Sequence, residues 1–414
     1  MQKRFDSDRI YALALGGGGA KGGYEIGVWR SLFEEGLKYN AVSGTSVGAL
    51  NGAMMAMRDL EQGEALWKNI RYSQVMDVND EEMGRLFDKD VKARELTPLI
   101  KRALSIVRGG GFDVTPLRNL LRQYIDPARI KSSDVDFIAV TYSISDKKEV
   151  VVDVRKLPDD EIWDMLLASA YFPAFKNEPL AGGKRFTDGG FSDALPVNPL
   201  IERGYSSIIA VRLAGGLGRE KKVRPPEGVS VDYISPKRRL GNTLNFSQEQ
   251  SNYNIKLGYY DAKRYAYGLE GDYYYLERTM SEREAYNELI DLIGINEKTE
   301  DHAVSLRTIH ESIIPKLAKE HESTGDYYDV LLRYLEHTGE VFGTCMPCTC
   351  LPTSRARSAS ARSSGERRLR SPSTYRLTRS SSMVSMASYR YFSRSFRMAD
   401  TSSCDRFQFS VEKA

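Results

Sequence analysis

Six glycines occupy eight consecutive positions, 16–23, between an apolar run and an amphipathic one. Such a density of glycine belongs in a loop, where the chain needs bare backbone rather than side chains. Before it, IYALAL (residues 10–15) has the apolar character of a strand. After it, YEIGVWRSLFEEG (24–36) reads as a helix with Ile26, Trp29, Leu32 and Phe33 spaced to face a core and a stop at Gly36. The loop presents several backbone N–H groups at a helix N-terminus, a geometry that binds an anion. In an acyl-transfer enzyme that anion is a tetrahedral oxyanion; in a nucleotide-binding protein it is a pyrophosphate.

A second strand, turn and helix follow at once. YNAVSG (39–44) is a short apolar run suited to a buried strand, and VGALNGAMMAM (47–57) is an apolar helix whose Gly48, Ala49, Gly52 and Ala53 permit close packing. Between them, Gly44-Thr45-Ser46-Val47-Gly48 satisfies G-x-S-x-G. Glycines at those two positions remove side chains that would clash in a sharp strand-to-helix corner, and the serine is left strained with its Oγ forward. The helix N-terminus beside it favours a developing negative charge. The plainer reading is a small-residue helix start, so the pentapeptide alone leaves both open.

A nucleophile also needs a base. The four histidines, His302, His310, His321 and His337, all lie more than 250 residues beyond Ser46, outside everything that reads as α/β. A carboxylate is therefore the expected base, and the best placed is in EPLAGGKRFTDGGFSDALPVNPL, residues 178–200. There Gly182-Gly183 signals a hairpin turn and KRFT a returning strand that delivers Asp188 at its end. Gly189 and Gly190 leave the backbone bare beside the acid so that a second loop can approach it. Asp-Gly is also an ordinary turn dipeptide, which is the structural alternative.

The nucleotide alternative meets a test of its own. Gly17, Gly19 and Gly22 fit G-x-G-x-x-G, but that fingerprint expects an acid ~20 residues on, at the end of the second strand, to hold a ribose. The second strand instead ends in Val42, Ser43 and Gly44 and runs into the serine corner; Glu34 and Glu35 fall too early, on the first helix. Lys21 is followed by Gly22, so no G-K-[ST] phosphate loop is present there either.

Taken together, the three motifs resemble those of the patatin-like phospholipases. Gly17-Gly18-Gly19-Ala20-Lys21-Gly22 is similar to that family's G-G-G-x-[RK]-G oxyanion loop, with lysine where many members carry arginine. Gly44 to Gly48 resembles its nucleophile elbow, and Asp188-Gly189-Gly190 its D-G-[GA] motif. ASAYFPAF (168–175) resembles the A-S-x-x-x-P-x-x-F block that precedes the acid. The resemblance runs well from Ile10 to Leu213 and more faintly through residues 234–268. It implies a three-layer α/β/α fold with a mainly parallel sheet and hydrolysis of lipid acyl esters by a Ser46–Asp188 dyad. The Gly17 to Gly19 amides would hold the oxyanion, and no cofactor or metal is called for. A catalytically silent scaffold on the same fold is the alternative. An aspartate of ordinary pKa is a weak base, so burial or the helix dipole must assist it. Lys21 either steadies the loop or meets a lipid phosphate, a solvated surface cation being the plainer reading.

The expected organisation is a catalytic domain over 1–215, its continuation over 216–280, polar helices over 281–343 and a Ser/Arg-rich tail over 344–414. The chain is 414 residues with 41% hydrophobic residues, enough for a sizeable core, and no stretch reaches the ~18–20 apolar residues of a membrane span. Its N-terminus does not read as a signal peptide, so the expected setting is cytoplasmic, with contact at a membrane or micelle surface to reach lipid. The tail holds 13 Lys and Arg against 4 Asp and Glu; the remaining 343 residues carry a net charge of −6. Its composition suits a disordered or aberrant end, with attraction to anionic lipid as the alternative and no nucleic-acid partner expected. Cys345, Cys348, Cys350 and Cys404 all lie there, in a spacing unlike a zinc site. The tyrosines at 253, 259, 260, 265, 267 and 273–275 are read as packing residues rather than a membrane belt.

Overall fold

The computed structural model describes residues 3–87, 109–213, 218–272, 278, 281–296, 306–321, 323 and 325–342. The Ser/Arg-rich tail and its cysteines, His302 and Tyr273 to Tyr275 lie outside the described residues, as does the side chain of His337. The chain forms two compact units, Met1–Tyr267 and Gly268–Ala414.

In the first unit, seven strands form one mixed, mostly parallel sheet flanked by helices. They are β1 (Ile10–Leu15), β2 (Lys38–Thr45), β3 (Asp136–Ser143), β4 (Lys148–Asp153), β5 (Phe186–Thr187), β6 (Ser207–Val211) and β7 (Ser230–Ile234). Their order is β4-β3-β2-β1-β6-β7, with β5 paired to β3. β1 lies between β2 and β6, parallel to both, and is buried from Tyr11 to Leu15. A central parallel strand is covered on both faces, which is why it reads as a continuous apolar run. One face packs Ala12, Ala14, Ala41, Ile138 and Ile208 against Leu195, Val197 and Leu200, the last on the short helix Asn198–Glu202. The opposite face carries Val42 and Phe137, which close on Gly52 of α2 (Val47–Ala56).

The strand ends decide where the motifs meet. β2 pairs with β3 only as far as Thr45 opposite Val140; past that point β5 takes over the same partner, with Thr187 opposite Tyr142 and Phe186 opposite Ser143. One strand leads directly into Ser46 and the other directly into Asp188. The turn that brings β5 back is the expected one: Gly182 and Gly183 adopt φ of 64° and 72°, and the Leu180 N–H closes it on the Lys184 carbonyl.

Helix α1 (Gly23–Glu34) is buried over most of its length, Ile26, Trp29 and Leu32 included. Phe33 departs from expectation and is 61% exposed. Its neighbours Glu34 and Glu35 turn instead toward the helix Gln248–Tyr267, accepting hydrogen bonds from the hydroxyls of Tyr259 and Tyr267, while Lys263 pairs with Glu35. Tyr265 likewise donates to Asp232, so these tyrosines serve packing and polar anchoring.

The second unit, by itself, is helical: Glu282–Asn296, Leu306–Thr308, a π-turn over Ile309–Ile313, Ile314–Glu320 and Tyr327–Phe342. Pro315 lies two residues past the π-turn, inside the continuous helical run 306–320, where the widened turn accommodates the N–H that proline lacks. Ala285, Leu289, Ile309, Ile314, Tyr328 and Leu331 form its core. His310 Nε2 lies 2.7 Å from the Tyr286 hydroxyl there.

Candidate active site

Ser46 stands between β2 and α2 at φ 56°, ψ −127°, a conformation that L-residues rarely adopt. The two glycines of the corner have separate steric duties. A Cβ on Gly44 would lie 2.2 Å from the Gly48 carbonyl oxygen, and one on Gly48 would lie 2.4 Å from the Leu15 carbonyl oxygen. The corner folds only with bare backbone at both positions. It is held from below as well: the Ser46 N–H donates to Ser169 Oγ at 2.9 Å, and Ser169 Oγ donates to the Val140 carbonyl at 2.6 Å. Ser169 belongs to ASAYFPAF, and nothing in that local sequence marks it as the brace.

The Ser46 hydroxyl, only 7% exposed as a residue, donates to Asp188 Oδ2 at 2.5 Å. The other carboxylate oxygen accepts the Gly190 N–H at 2.8 Å, and the Asp188 N–H is tied to the Tyr171 carbonyl. Burial pushes the Asp188 carboxyl up to about 6, against the opposing pull of the Ser46 and Gly190 hydrogen bonds. Gly189 makes the approach possible, since a Cβ there would fall 2.1 Å from the Val140 carbonyl oxygen. Thr45 Oγ1 and Ser43 Oγ then fasten β2 to the loop beyond the acid, donating to the carbonyls of Asp193 and Pro196.

The glycine loop arrives at the same place from β1. Gly17 lies against Ser46, with 3.3 Å between a Cβ built on it and the serine Cβ. Its N–H donates to the Ala194 carbonyl at 2.8 Å, which takes it out of the set of free amides. Among the described residues the Gly18 and Gly19 N–H groups have no acceptor, so these two remain available to an anion. Gly19 needs its φ of 56° and has Thr243 against it, where a Cβ would meet the carbonyl oxygen at 2.5 Å. Gly22 is the packing glycine, enclosed by Val47 and Trp67. Lys21 is 3% exposed and desolvation lowers its pKa, which excludes the reading as a solvated surface cation.

Ser46, Asp188 and Gly17 to Gly19 face a cavity of about 640 Å³, within the range of small-molecule sites. Its walls are mostly apolar: Met54, Trp67, Ile70, Met76, Leu121 and Phe246 are representative. Lys21 does not line it. Apart from Met54 of α2, these wall residues come from segments around 66–76, 112–125 and 243–246, where the periodicity of an ordinary core is all the sequence offers. Among the described residues no cluster of three or more His, Cys, Asp or Glu stands close enough to hold a metal ion. No helix among them is long and apolar enough to cross a membrane.

A mostly parallel sheet, a serine on a strained corner and a half-buried carboxylate hydrogen-bonded to it define an α/β protein with a candidate serine–aspartate pair. Residues 13–201 match the family model described as patatin-like phospholipase. It is 27% identical over 210 residues to patatin-like phospholipase domain-containing protein 7 of Rattus norvegicus, across 48% of this chain and 13% of the rat protein. An uncharacterised NTE family protein of Mycobacterium bovis is 27% identical over 215 residues, 52% of each chain. The lysophospholipase NTE1 of Mycosarcoma maydis is 27% identical over 234 residues, 56% of this chain and 10% of the fungal one. The match thus spans from a tenth to about half the length of these relatives.

Proposed function

We propose that this protein hydrolyses carboxylic esters of lipids with Ser46 as nucleophile and Asp188 as base. The observation that carries the reading is the 2.5 Å hydrogen bond from Ser46 Oγ to Asp188 Oδ2 beside a largely apolar cavity. In the first half-reaction Ser46 Oγ attacks the ester carbonyl carbon while Asp188 accepts the hydroxyl proton. The carbonyl oxygen becomes an oxyanion held by the Gly18 and Gly19 N–H groups, close to the positive end of α2. Collapse of that intermediate breaks the bond to the alcohol, which leaves with the proton from Asp188. Water then attacks the acyl-serine, giving its proton to Asp188, and collapse of the second intermediate releases the fatty acid as that proton returns to Ser46 Oγ.

The raised pKa of Asp188 suits the task, because a base near 6 takes a proton more readily than an ordinary aspartate and is still ionised at neutral pH. The apolar walls suit an acyl chain, and the family match supports a lipid ester over other esters. A fluorophosphonate probe tests the reading: the expected result is one covalent adduct on the Ser46 peptide, absent in Ser46→Ala, with fatty acid released from a panel of lipid esters. An unlabelled wild-type protein that releases no fatty acid would overturn it.

A further inference from the structure

Beneath the glycine loop, one side-chain amide joins three helices. Asn51 is 3% exposed and sits on α2, the helix that Ser46 opens. Its Oδ1 accepts the indole N–H of Trp67, on the helix Leu60–Lys68, at 2.8 Å. An indole nitrogen only donates, so this bond fixes which way the amide faces. Nδ2 then donates to two acceptors where the glycine loop runs into α1: the Gly22 carbonyl at 3.0 Å and Glu25 Oε2 at 2.8 Å. Both amide hydrogens are taken, so Asn51 has none left for a substrate, although it and Trp67 are among the cavity's lining residues.

The join is closely built. A Cβ on Gly22 would lie 2.4 Å from Val47 Cγ2 and 2.5 Å from Trp67 Cζ2, and the Trp67 carbonyl accepts the Ser251 hydroxyl of the helix Gln248–Tyr267 at 2.5 Å. Glu25 is its unusual member. The residue is 1% exposed, no cation among the described residues pairs with it, and its Oε1 is buried without a hydrogen-bond partner. Burial pushes its carboxyl well above the ordinary carboxylate range, against the pull of the Asn51 amide and the Gly16 main chain. A buried carboxyl with a bare oxygen costs stability, and the mechanism above gives it no proton to move. It holds the Asn51 amide against Gly22, and so holds α2, with Ser46 at its start, in register with the loop that carries the Gly18 and Gly19 amides.

We infer that Glu25 and Asn51 are positioning residues for ester hydrolysis: through Gly22 they set where the Gly18 and Gly19 amides stand relative to Ser46 Oγ. This rests on the hydrolase reading above and adds the parts that pre-organise its oxyanion site. Because both residues act through the loop, the expected signature is a loss in the transition state with ground-state binding kept.

The test uses Glu25→Leu, Glu25→Gln and Asn51→Leu with p-nitrophenyl butyrate as a soluble ester. Glu25→Leu is expected to lower kcat about tenfold with KM within about twofold, less than the ~10²-fold of a full ångström's misplacement. Its melting temperature should change little, because loss of a buried carboxyl with a bare oxygen offsets the Asn51 donor left unpaired. Glu25→Gln, the isostere of the neutral acid, should recover most of the lost kcat. Asn51→Leu strips three bonds at once and should be slower still; if it does not fold, the two Glu25 variants carry the test. Octyl trifluoromethyl ketone, which adds to a nucleophilic serine and forms an oxyanion, separates positioning from folding: its Ki should rise in proportion to the fall in kcat/KM. Unchanged kcat and inhibitor affinity in folded Glu25→Leu, equal losses in Glu25→Gln and Glu25→Leu, or a loss wholly in KM would overturn the inference, while fluorophosphonate labelling of wild-type Ser46 keeps the hydrolase reading. A wild-type protein that neither takes the label nor cleaves the ester would sink both.

Discussion

Ser46 Oγ and Asp188 Oδ2 meet at 2.5 Å although 142 residues separate them in the chain, because β2 and β5 use successive stretches of the same edge of β3. Among the described residues, neither Ser46 Oγ nor the Asp188 carboxylate has another side-chain hydrogen-bond partner. Ser46→Ala, Asp188→Asn and the double variant are therefore expected to lose similar activity, on the order of 10³-fold or more each, as groups acting as one unit do. Initial rates on a soluble ester check this, and losses that multiply in the double variant would count against a shared step.

The Asp188 carboxyl at about 6 fixes the acid limb of the pH profile. In the proposed mechanism the ionised form is the base, so kcat/KM should rise through about pH 6 and level off above it. A limb centred near 4 in a full pH–rate profile would mean that burial does not tune this group.

The same shift has a stability consequence of opposite sense. A carboxyl whose folded pKa lies above its unfolded value binds more protons in the folded state between about pH 4 and 6. Its contribution is fully present below about 4 and is lost as pH rises through about 6. Asp188→Asn removes that loss while keeping an acceptor for Gly190 and a donor for Ser46. Thermal melts should find the inactive variant stabilised at pH 7.5, by on the order of 2 kcal/mol, and unchanged at pH 4.

The histidines supply a negative control. His310 is occupied with Tyr286 in the helical unit, and Ser46 has its carboxylate partner already. Replacing His302, His310, His321 and His337 together by Gln should leave kcat within a few-fold of wild type in a folded protein. A collapse of ester hydrolysis with an unchanged circular dichroism spectrum would require a different base.

What the sequence made legible is what short-range sterics demand. Gly44 faces the Gly48 carbonyl oxygen within its own corner, so that demand is written locally; Gly48 and Gly189 face the carbonyls of Leu15 and Val140, and only the motif spacing they complete made them legible. The β5 pairing that joins them was partly readable from Gly182-Gly183 and KRFT. Three things were not. Ser169 braces Ser46 across 123 residues, Gly17 loses its N–H to Ala194, and Arg219, whose N–H donates to the Gly190 carbonyl, is among the cavity's lining residues. Each is a tertiary contact between residues with no distinctive local pattern. Phe33 failed for a related reason: helical spacing gives a face, but Glu34 and Glu35 found partners on the helix Gln248–Tyr267 that fixed which way the last turn points.

That helix also supplies the last test, because its contact with α1 is set by two glycines. A Cβ on Gly27 would lie 1.9 Å from the Ile255 carbonyl oxygen, and one on Gly258 would lie 2.0 Å from that of Tyr24. Backbone meets backbone at both points, so no side chain is there to move aside, and the helices must separate to admit even one methyl group. Gly63 is the contrast: a Cβ there finds its nearest atom, Ile26 Cδ1, at 3.3 Å, at the flexible end of a side chain. Gly27→Ala and Gly258→Ala are each expected to cost about 2–4 kcal/mol, more than the usual 1–3 kcal/mol of overpacking, despite alanine's better helix propensity. Gly63→Ala should be neutral or stabilising by up to ~1 kcal/mol on that same propensity. Urea unfolding of the three variants measures the difference directly. Because α1 begins where the glycine loop ends, the two destabilised variants should also lose ester hydrolysis below their unfolding midpoint, as the Gly18 and Gly19 amides shift from the Ser46 hydroxyl. Full activity in Gly258→Ala would mean that the loop is positioned by Thr243 and Ala194 alone.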